Sequence, residues 1–129
     1  MSKKKTDSKR RVQTHRRRVV IDAAGRSLGR VAAEAARVLQ GKNRPDYLRN
    51  LDMGCWVHVI NLSQSTFTGR KIDQKVYYRY SGYPGGITTR SLKNLWEKKP
   101  EFILRRTIYH MLPTNTLRKT WIKRLTAVN

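Results

Sequence analysis

Apolar residues recur along this chain in short runs, and their spacing changes from strand-like to helix-like more than once. Val19-Val20-Ile21 is a β-branched run of the kind that forms a buried strand. After the turn Asp22-Ala23-Ala24-Gly25-Arg26-Ser27, apolar residues fall at Leu28, Val31, Ala32, Ala35, Val38 and Leu39. That spacing is one stripe of a helix, with Arg30, Glu34 and Arg37 on the far side. Ser27 suits its N-cap, and Gly41 suits the residue that stops it. Trp56-Val57-His58-Val59-Ile60 predicts a second strand, apolar enough for the middle of a parallel sheet. Strand, helix and strand at this length make a βαβ unit with a right-handed crossover.

Further on, Thr66-Phe67-Thr68 predicts a short third strand closed by Gly69. Val76-Tyr77-Tyr78-Arg79-Tyr80 is rich in β-formers and runs into the loop Ser81-Gly82-Tyr83-Pro84-Gly85-Gly86. The pattern then turns helical. Ser91 can cap a helix over 92–98, Pro100 opens a second over 101–111, and Pro113 breaks that one before a third over 116–125. These helices are short and are expected to wrap one side of the sheet. The chain therefore reads as one α/β domain over residues 19–129. The expected architecture is a three-layer α/β/α fold, with a small, mostly parallel sheet built on the βαβ unit and a helical C-terminal part. Residues 1–18 hold few apolar side chains and are expected to form a disordered basic arm.

Charge changes the picture more than any single motif. Lys and Arg number 29 against 8 Asp and Glu, a net charge of +21 over 129 residues. Residues 1–18 hold nine basic side chains and one acid, which leaves +13 of that charge on the body. A folded domain this basic repels itself unless an anion neutralises it, so its partner is expected to be a polyanion, nucleic acid first. Cys55 is the only cysteine, which excludes an internal disulfide and any zinc site built on several thiolates. No apolar run reaches the ~18 residues of a membrane span, and the N-terminus has no apolar core of a secretory signal.

Candidate chemistry is sparse. Gly25-Arg26-Ser27-Leu28-Gly29 joins a strand to a helix, where phosphate sites often sit, but its spacing fits neither the dinucleotide fingerprint nor the P-loop. It reads as a tight turn whose Arg26 and Arg30 are available to a backbone phosphate of RNA. His15, His58 and His110 are scattered, with no second metal ligand at useful spacing. No nucleophile–base set is legible, and Asp22 and Asp52 read as acceptors of turn or cap hydrogen bonds. No catalytic residue, metal site or cofactor is expected. The segment from Thr68 to Gly86 is the most specific. It alternates cations with tyrosines and ends in a glycine loop, the composition that phosphate contacts and base stacking use. Lys75, Tyr77 and Arg79 share one face of the strand and are expected to meet RNA; Tyr78 and Tyr80 are expected to face the core.

The same segment resembles the large-subunit ribosomal protein L-thirteen family, in its bacterial and organellar form. Asp22-Ala23-x-Gly25-x-x-Leu28-Gly29-Arg30-x-Ala32 is similar to its opening motif, and Gly41-Lys42 to its helix exit. Asp52-x-Gly54 before residues 57–61 is similar to its second strand. Thr68-Gly69-x-Lys71, Lys75-x-Tyr77-Tyr78-Arg79 and Ser81-Gly82-Tyr83-Pro84-Gly85-Gly86 resemble its central signature. Met111-Leu112-Pro113-x-Asn115-x-Leu117 resembles its C-terminal signature. Departures are Cys55 for a frequent Asp, Tyr80 for a frequent His, His110 for a common Gly, and Leu117-Arg118-Lys119 for the usual Leu-Gly-Arg.

The resemblance implies a non-enzymatic component of the large ribosomal subunit, in the cytoplasm or an organelle. It would bind large-subunit ribosomal RNA directly, act early in subunit assembly and abut neighbouring large-subunit proteins. Neither membrane contact nor a homo-oligomer is expected. RNA contacts are expected from Arg16, Arg17 and Arg18 in the arm, and from Arg26 and Arg30 at the first helix. Others are expected from Lys42 and Arg44 in the loop after it, and from Arg70, Lys71, Lys75, Tyr77 and Arg79. The loop from Ser81 through Gly82, Tyr83, Pro84 and Gly85 to Gly86 should contribute, as should His110, Arg118, Lys119 and Lys123. Competing classes are a messenger-RNA-binding translational regulator and a nucleotide-dependent enzyme.

Overall fold

The computed structural model describes residues 16–128. The arm expected over 1–18 therefore lies outside the described residues, except for its last three. In chain order the elements begin with strand β1 (Arg18–Asp22), helix α1 (Leu28–Gln40) and strand β2 (Trp56–Ile60). A 3-10 turn (Leu62–Gln64), a short helix α2 (Lys71–Gln74) and strands β3 (Val76–Tyr80) and β4 (Ile87–Ser91) follow. Helices α3 (Leu92–Lys98), α4 (Pro100–Met111) and α5 (Leu117–Lys123) then lead to a last strand, β5 (Leu125–Ala127).

β1 and β2 are parallel, so the βαβ unit stands as expected, and β5 adds parallel to the free edge of β2. The register puts Val19 and Leu125 on either side of Val57, and Ile21 and Ala127 on either side of Val59. These six side chains form the face that the helices cover, because alternate residues of a strand point the same way. The other face stays open among the described residues: Val20 is 62% exposed and Trp56 41%. The helices pack on the covered side. α1 buries Val31, Ala32, Ala35 and Leu39, and α4 lays Ile103, Leu104 and Ile108 into the same cluster. The alanines let α1 approach closely.

Helix boundaries follow the capping signals. Gly41 takes φ 83 and its N–H returns to the Val38 carbonyl, which stops α1. Ser91 Oγ accepts from the Asn94 N–H at 3.4 Å, and Pro100 opens α4. Ser27 is extended at the head of α1, but its hydroxyl makes no cap bond. Thr66 bonds there instead: the Leu28 N–H donates to the Thr66 carbonyl and the Thr66 N–H to the Arg26 carbonyl.

That bond pattern corrects the third strand expected over 66–68. It is a single parallel bridge between Ser27 and Thr66, since β1 and β5 already flank β2. The helix expected over 116–125 also ends sooner, at Lys123, because Leu125 pairs with Val57 in β5. β3 and β4 form a separate antiparallel hairpin, and β4 was not anticipated.

One charged group sits inside the fold. Asp52 accepts two bonds from the Arg124 guanidinium at 2.5 Å each, one from Trp121 Nε1 at 2.9 Å and one from Arg16 Nη2 at 3.2 Å. Arg124 is 3% exposed and also donates to the Leu39 carbonyl at the end of α1. Burial alone would raise the Asp52 carboxyl; the Arg124 bonds and charge, the Trp121 bond and the Arg16 charge together bring it below its ordinary value. Gly54 makes room for this clasp, since a Cβ there would stand 1.8 Å from the Leu39 carbonyl oxygen. Asp52 thus ties the chain before β1, the loop before β2 and the end of α5 together.

Candidate nucleic-acid interface

The N-terminal turn of α1, the α2 segment, β3 and the outer side of α4 meet along one side of the molecule. Three adjoining clefts of 320 to 400 Å³ run between them and share lining residues. Gly25, Arg26, Ser27 and Arg30 line the first with Thr66 and Thr68. Lys71, Lys75 and Tyr77 extend it, and Arg106, His110 and Met111 carry it along α4. Among the described residues, no carboxylate lines any of the three. The result is a furrow edged by cations, the form that follows a run of phosphates.

Each cation is set by local structure. Arg26 donates to Glu34 at 2.6 Å and to the Asp22 carbonyl, so its charge is partly answered. Asp22 organises the turn as expected. It accepts from the Ala24 N–H and from Asn61 Nδ2 at 3.0 Å each, and these two bonds with the Arg26 charge lower its carboxyl. Lys71 reaches back to Thr68 Oγ1 at 3.4 Å. Lys75 Nζ stands 5.4 Å from the Tyr77 ring centre, and Arg106 Cζ 4.9 Å from it. Both lie within cation–π range. Burial raises the Tyr77 hydroxyl, and the Arg106 charge opposes that rise.

The facing expected for the tyrosines is reversed. Tyr77 packs against the core, while Tyr78 is 67% and Tyr80 62% exposed. Strand alternation fixes which residues share a face but not which face turns inward. With tyrosines at both parities, the sequence cannot choose. The docking of the hairpin chooses, by placing Tyr77 between Lys75 and Arg106. Arg79 does share the Tyr77 face, further out and exposed.

The glycine loop is a tight, fully turned tip. The Ser81 N–H donates to the Gly86 carbonyl at 2.9 Å, and the Gly86 N–H to the Tyr83 carbonyl at 3.0 Å. A Cβ on Gly86 would lie 2.0 Å from Ser81 Oγ and 3.0 Å from the Tyr83 carbonyl oxygen, so a larger residue fits only if the Ser81 hydroxyl turns away. Gly82 and Gly85 take left-handed φ with open space around them, and Pro84 sits between Tyr83 and Gly85. Tyr83 is 77% exposed.

Apart from His110 at its α4 end, the remaining expected residues do not join the furrow. Lys42 is exposed and Arg44 pairs with Asp46 at 3.4 Å, both beyond the far end of α1. That helix has 13 residues, so its ends are roughly 20 Å apart. Arg16 is bound to Asp52, while Arg17, Arg18, Arg70, Lys119 and Lys123 are exposed. Arg118 is occupied: its guanidinium lies 3.7 Å from the Tyr109 ring centre and its Nε donates to the Tyr109 carbonyl at 2.7 Å. It ties α5 to α4. His110 is exposed beside Tyr109. Arg106 was not anticipated, although it stands four residues before His110 on one helix face, which is a readable signal. Arg90, opposite Tyr77 across the hairpin, was also missed, because β4 was.

Among the described residues, no cluster of His, Cys, Asp or Glu could hold a metal, and no helix is long and apolar enough to cross a membrane. Residues 16–128 match the family model described as ribosomal protein L13. A relative named large ribosomal subunit protein uL13, from Dehalococcoides mccartyi, is 52% identical over 98 residues, covering 76% of this chain and 68% of that protein. The protein of that name from Rubrobacter xylanophilus is 44% identical over 113 residues, 88% of this chain and 79% of its own. That from Aquifex aeolicus is 45% identical over 106 residues, 82% and 74%.

Proposed function

Because the chain belongs to the ribosomal protein L13 family, a structural and non-enzymatic family, we propose that it is a structural constituent of the large ribosomal subunit that binds large-subunit ribosomal RNA directly and joins the subunit early in its assembly. The observation that carries the RNA-binding part is the furrow: cations of α1, α2 and α4, and of the turns before α1 and β3, converge on it, and among the described residues no acid lines it. Small anions need one such cleft. Exposed cations here also occupy the far end of α1 and α5, so the complementary anion must extend over both ends of the molecule. A folded RNA has that extent, and it is recognised by shape and backbone more than by base edges. Neighbouring large-subunit proteins are the second class of partner, and the open face of the sheet is available to them.

Equilibrium binding of the full chain to deproteinised large- and small-subunit ribosomal RNA from the source organism tests the first part. Preference for the large-subunit RNA is expected, and equal affinity for both at one salt concentration would overturn selective binding. Assembly order is read by pulse-labelling precursor particles. The chain should appear in the earliest ones, and its appearance only in mature subunits would remove the early role.

A further inference from the structure

The hairpin of β3 and β4 stands apart from the main sheet, and its two faces differ in chemistry. Cross-strand register places Tyr78 opposite Thr89 and Tyr80 opposite Ile87 on one face. Tyr77 opposite Arg90, and Arg79 opposite Thr88, make the other. The first face is an exposed strip: Tyr78 is 67% exposed, Tyr80 62% and Ile87 59%, with Tyr83 at 77% on the tip beyond them. A soluble domain gains nothing by holding three tyrosine rings in water on a two-stranded ribbon. The second face carries Arg79 and Arg90. Between Asp73 and Glu97 the chain holds no acid at all. A protein patch that mates with a protein usually answers some of its charge; a ribbon whose only charged side chains are two arginines is complementary to phosphate.

We propose that the hairpin is a wedge that enters folded RNA, with Tyr78 and Tyr80 stacking unpaired bases on one side while Arg79 and Arg90 hold phosphates on the other. This rests on the RNA-binding reading above and adds which chemistry each face performs. Tyrosine rings stack on any base, so the strip selects unpaired nucleotides rather than a sequence. The tip is built for close approach, since Gly82 and Gly85 present bare backbone where a neighbouring strand would pass.

The test uses the full chain and deproteinised large-subunit ribosomal RNA from the source organism, titrated over a range of salt. Three variants are compared: Tyr78→Leu with Tyr80→Leu, Tyr78→Phe with Tyr80→Phe, and Arg79→Ala with Arg90→Ala. Leucine keeps an apolar surface but removes the π-face, and phenylalanine keeps both. The leucine pair should weaken binding at least tenfold, about what the loss of one or two stacks removes, with its salt slope unchanged. The phenylalanine pair should stay within about twofold of the parent. The arginine pair should make the log–log slope shallower by about two units, one per lost phosphate contact. Melting curves should show all three folded, because every substituted side chain is exposed.

RNA affinity unchanged in the leucine pair overturns the wedge. So does a leucine pair that binds RNA normally yet fails to enter large subunits, because the strip then faces a protein. In both cases the parent still binds RNA, and the broader reading survives. If the parent itself shows no preference for this RNA, that reading and the wedge fall together.

Discussion

At the scale of single residues, Asp52 carries the largest predicted effect on stability. Its side chain is mostly buried against Arg124, so removing the carboxylate strands a buried guanidinium. Asp52→Asn should cost about 3 kcal/mol at neutral pH, in the range for breaking one partner of a buried pair. The pH dependence has a fixed sign. The folded carboxyl is held below its ordinary value of 3.8, so its stabilising contribution is complete above that value and is lost as pH falls through the lower folded one. Thermal melts of both proteins across that range should converge at the acid end; a constant gap would show that the pair does not titrate with folding. The tyrosines give the second residue-scale contrast. Tyr77→Ala should destabilise the domain by about 2 kcal/mol, less than a fully buried ring, and Tyr78→Ala by no more than about 0.5. Denaturant melts separate the two, and equal losses would contradict the facing described here. Neither effect was legible from sequence. Asp52 read as a turn acceptor because its partners lie 36 to 72 residues away. Tyr77 and Tyr78 are the same residue at opposite parities, so nothing local ranks them.

At the scale of elements, legibility followed the length and periodicity of each pattern. β1, α1, β2, α3 and α4 were readable because their apolar spacing is sustained or their caps are explicit, as at Ser91, Pro100 and Gly41. β5 was not, because its three residues fall in register with a helix, Leu125 being four after Trp121. β4 was missed although Ile87-Thr88-Thr89 follows a glycine-rich turn after a β-forming run, which is a hairpin signal. Of the candidate site, the cations on α1, α2 and β3 were found. The contribution of α4 through Arg106 was not, because only the fold brings α4 beside β3. The independence of the hairpin has a direct consequence. Replacing the tip over 81–86 with Asn-Gly should leave the melting temperature within about 2 °C, since no residue of that loop is buried in the core. RNA affinity should fall. A collapse in melting temperature would mean that the tip, not Tyr77, anchors the hairpin.

At the scale of the whole molecule, charge sets how the protein responds to salt. If roughly 8–10 phosphates are neutralised on binding, the log–log salt slope should lie between about −6 and −9. A slope shallower than about −3 is incompatible with an interface reaching both ends of α1. The arm and the body are expected to contribute separately. Deleting residues 1–15 removes six Lys or Arg side chains and should weaken binding and flatten that slope with little change in melting temperature. Deleting residues 1–18 goes further: it takes the Arg16 bond to Asp52 and the first residue of β1, and should lower the melting temperature as well.

The clasp at Asp52 also bears on time. Trp121 and Arg124 reach Asp52 across 69 and 72 residues, so their bonds close the same long loop as the β2-to-β5 crossover. Closing a loop of that length costs entropy before its contacts repay it, so the clasp is expected to form after the folding barrier has been crossed. Interactions absent from the transition state govern the rate of escape from the native state rather than the rate of arrival. Asp52→Asn should therefore raise the unfolding limb of a chevron plot and leave the refolding limb nearly where it was. Slower refolding at unchanged unfolding would place the clasp in the nucleus. With the bonds closing last, the free protein is expected to come apart slowly once folded, a persistence that suits a domain of charge +21 for as long as no polyanion neutralises it.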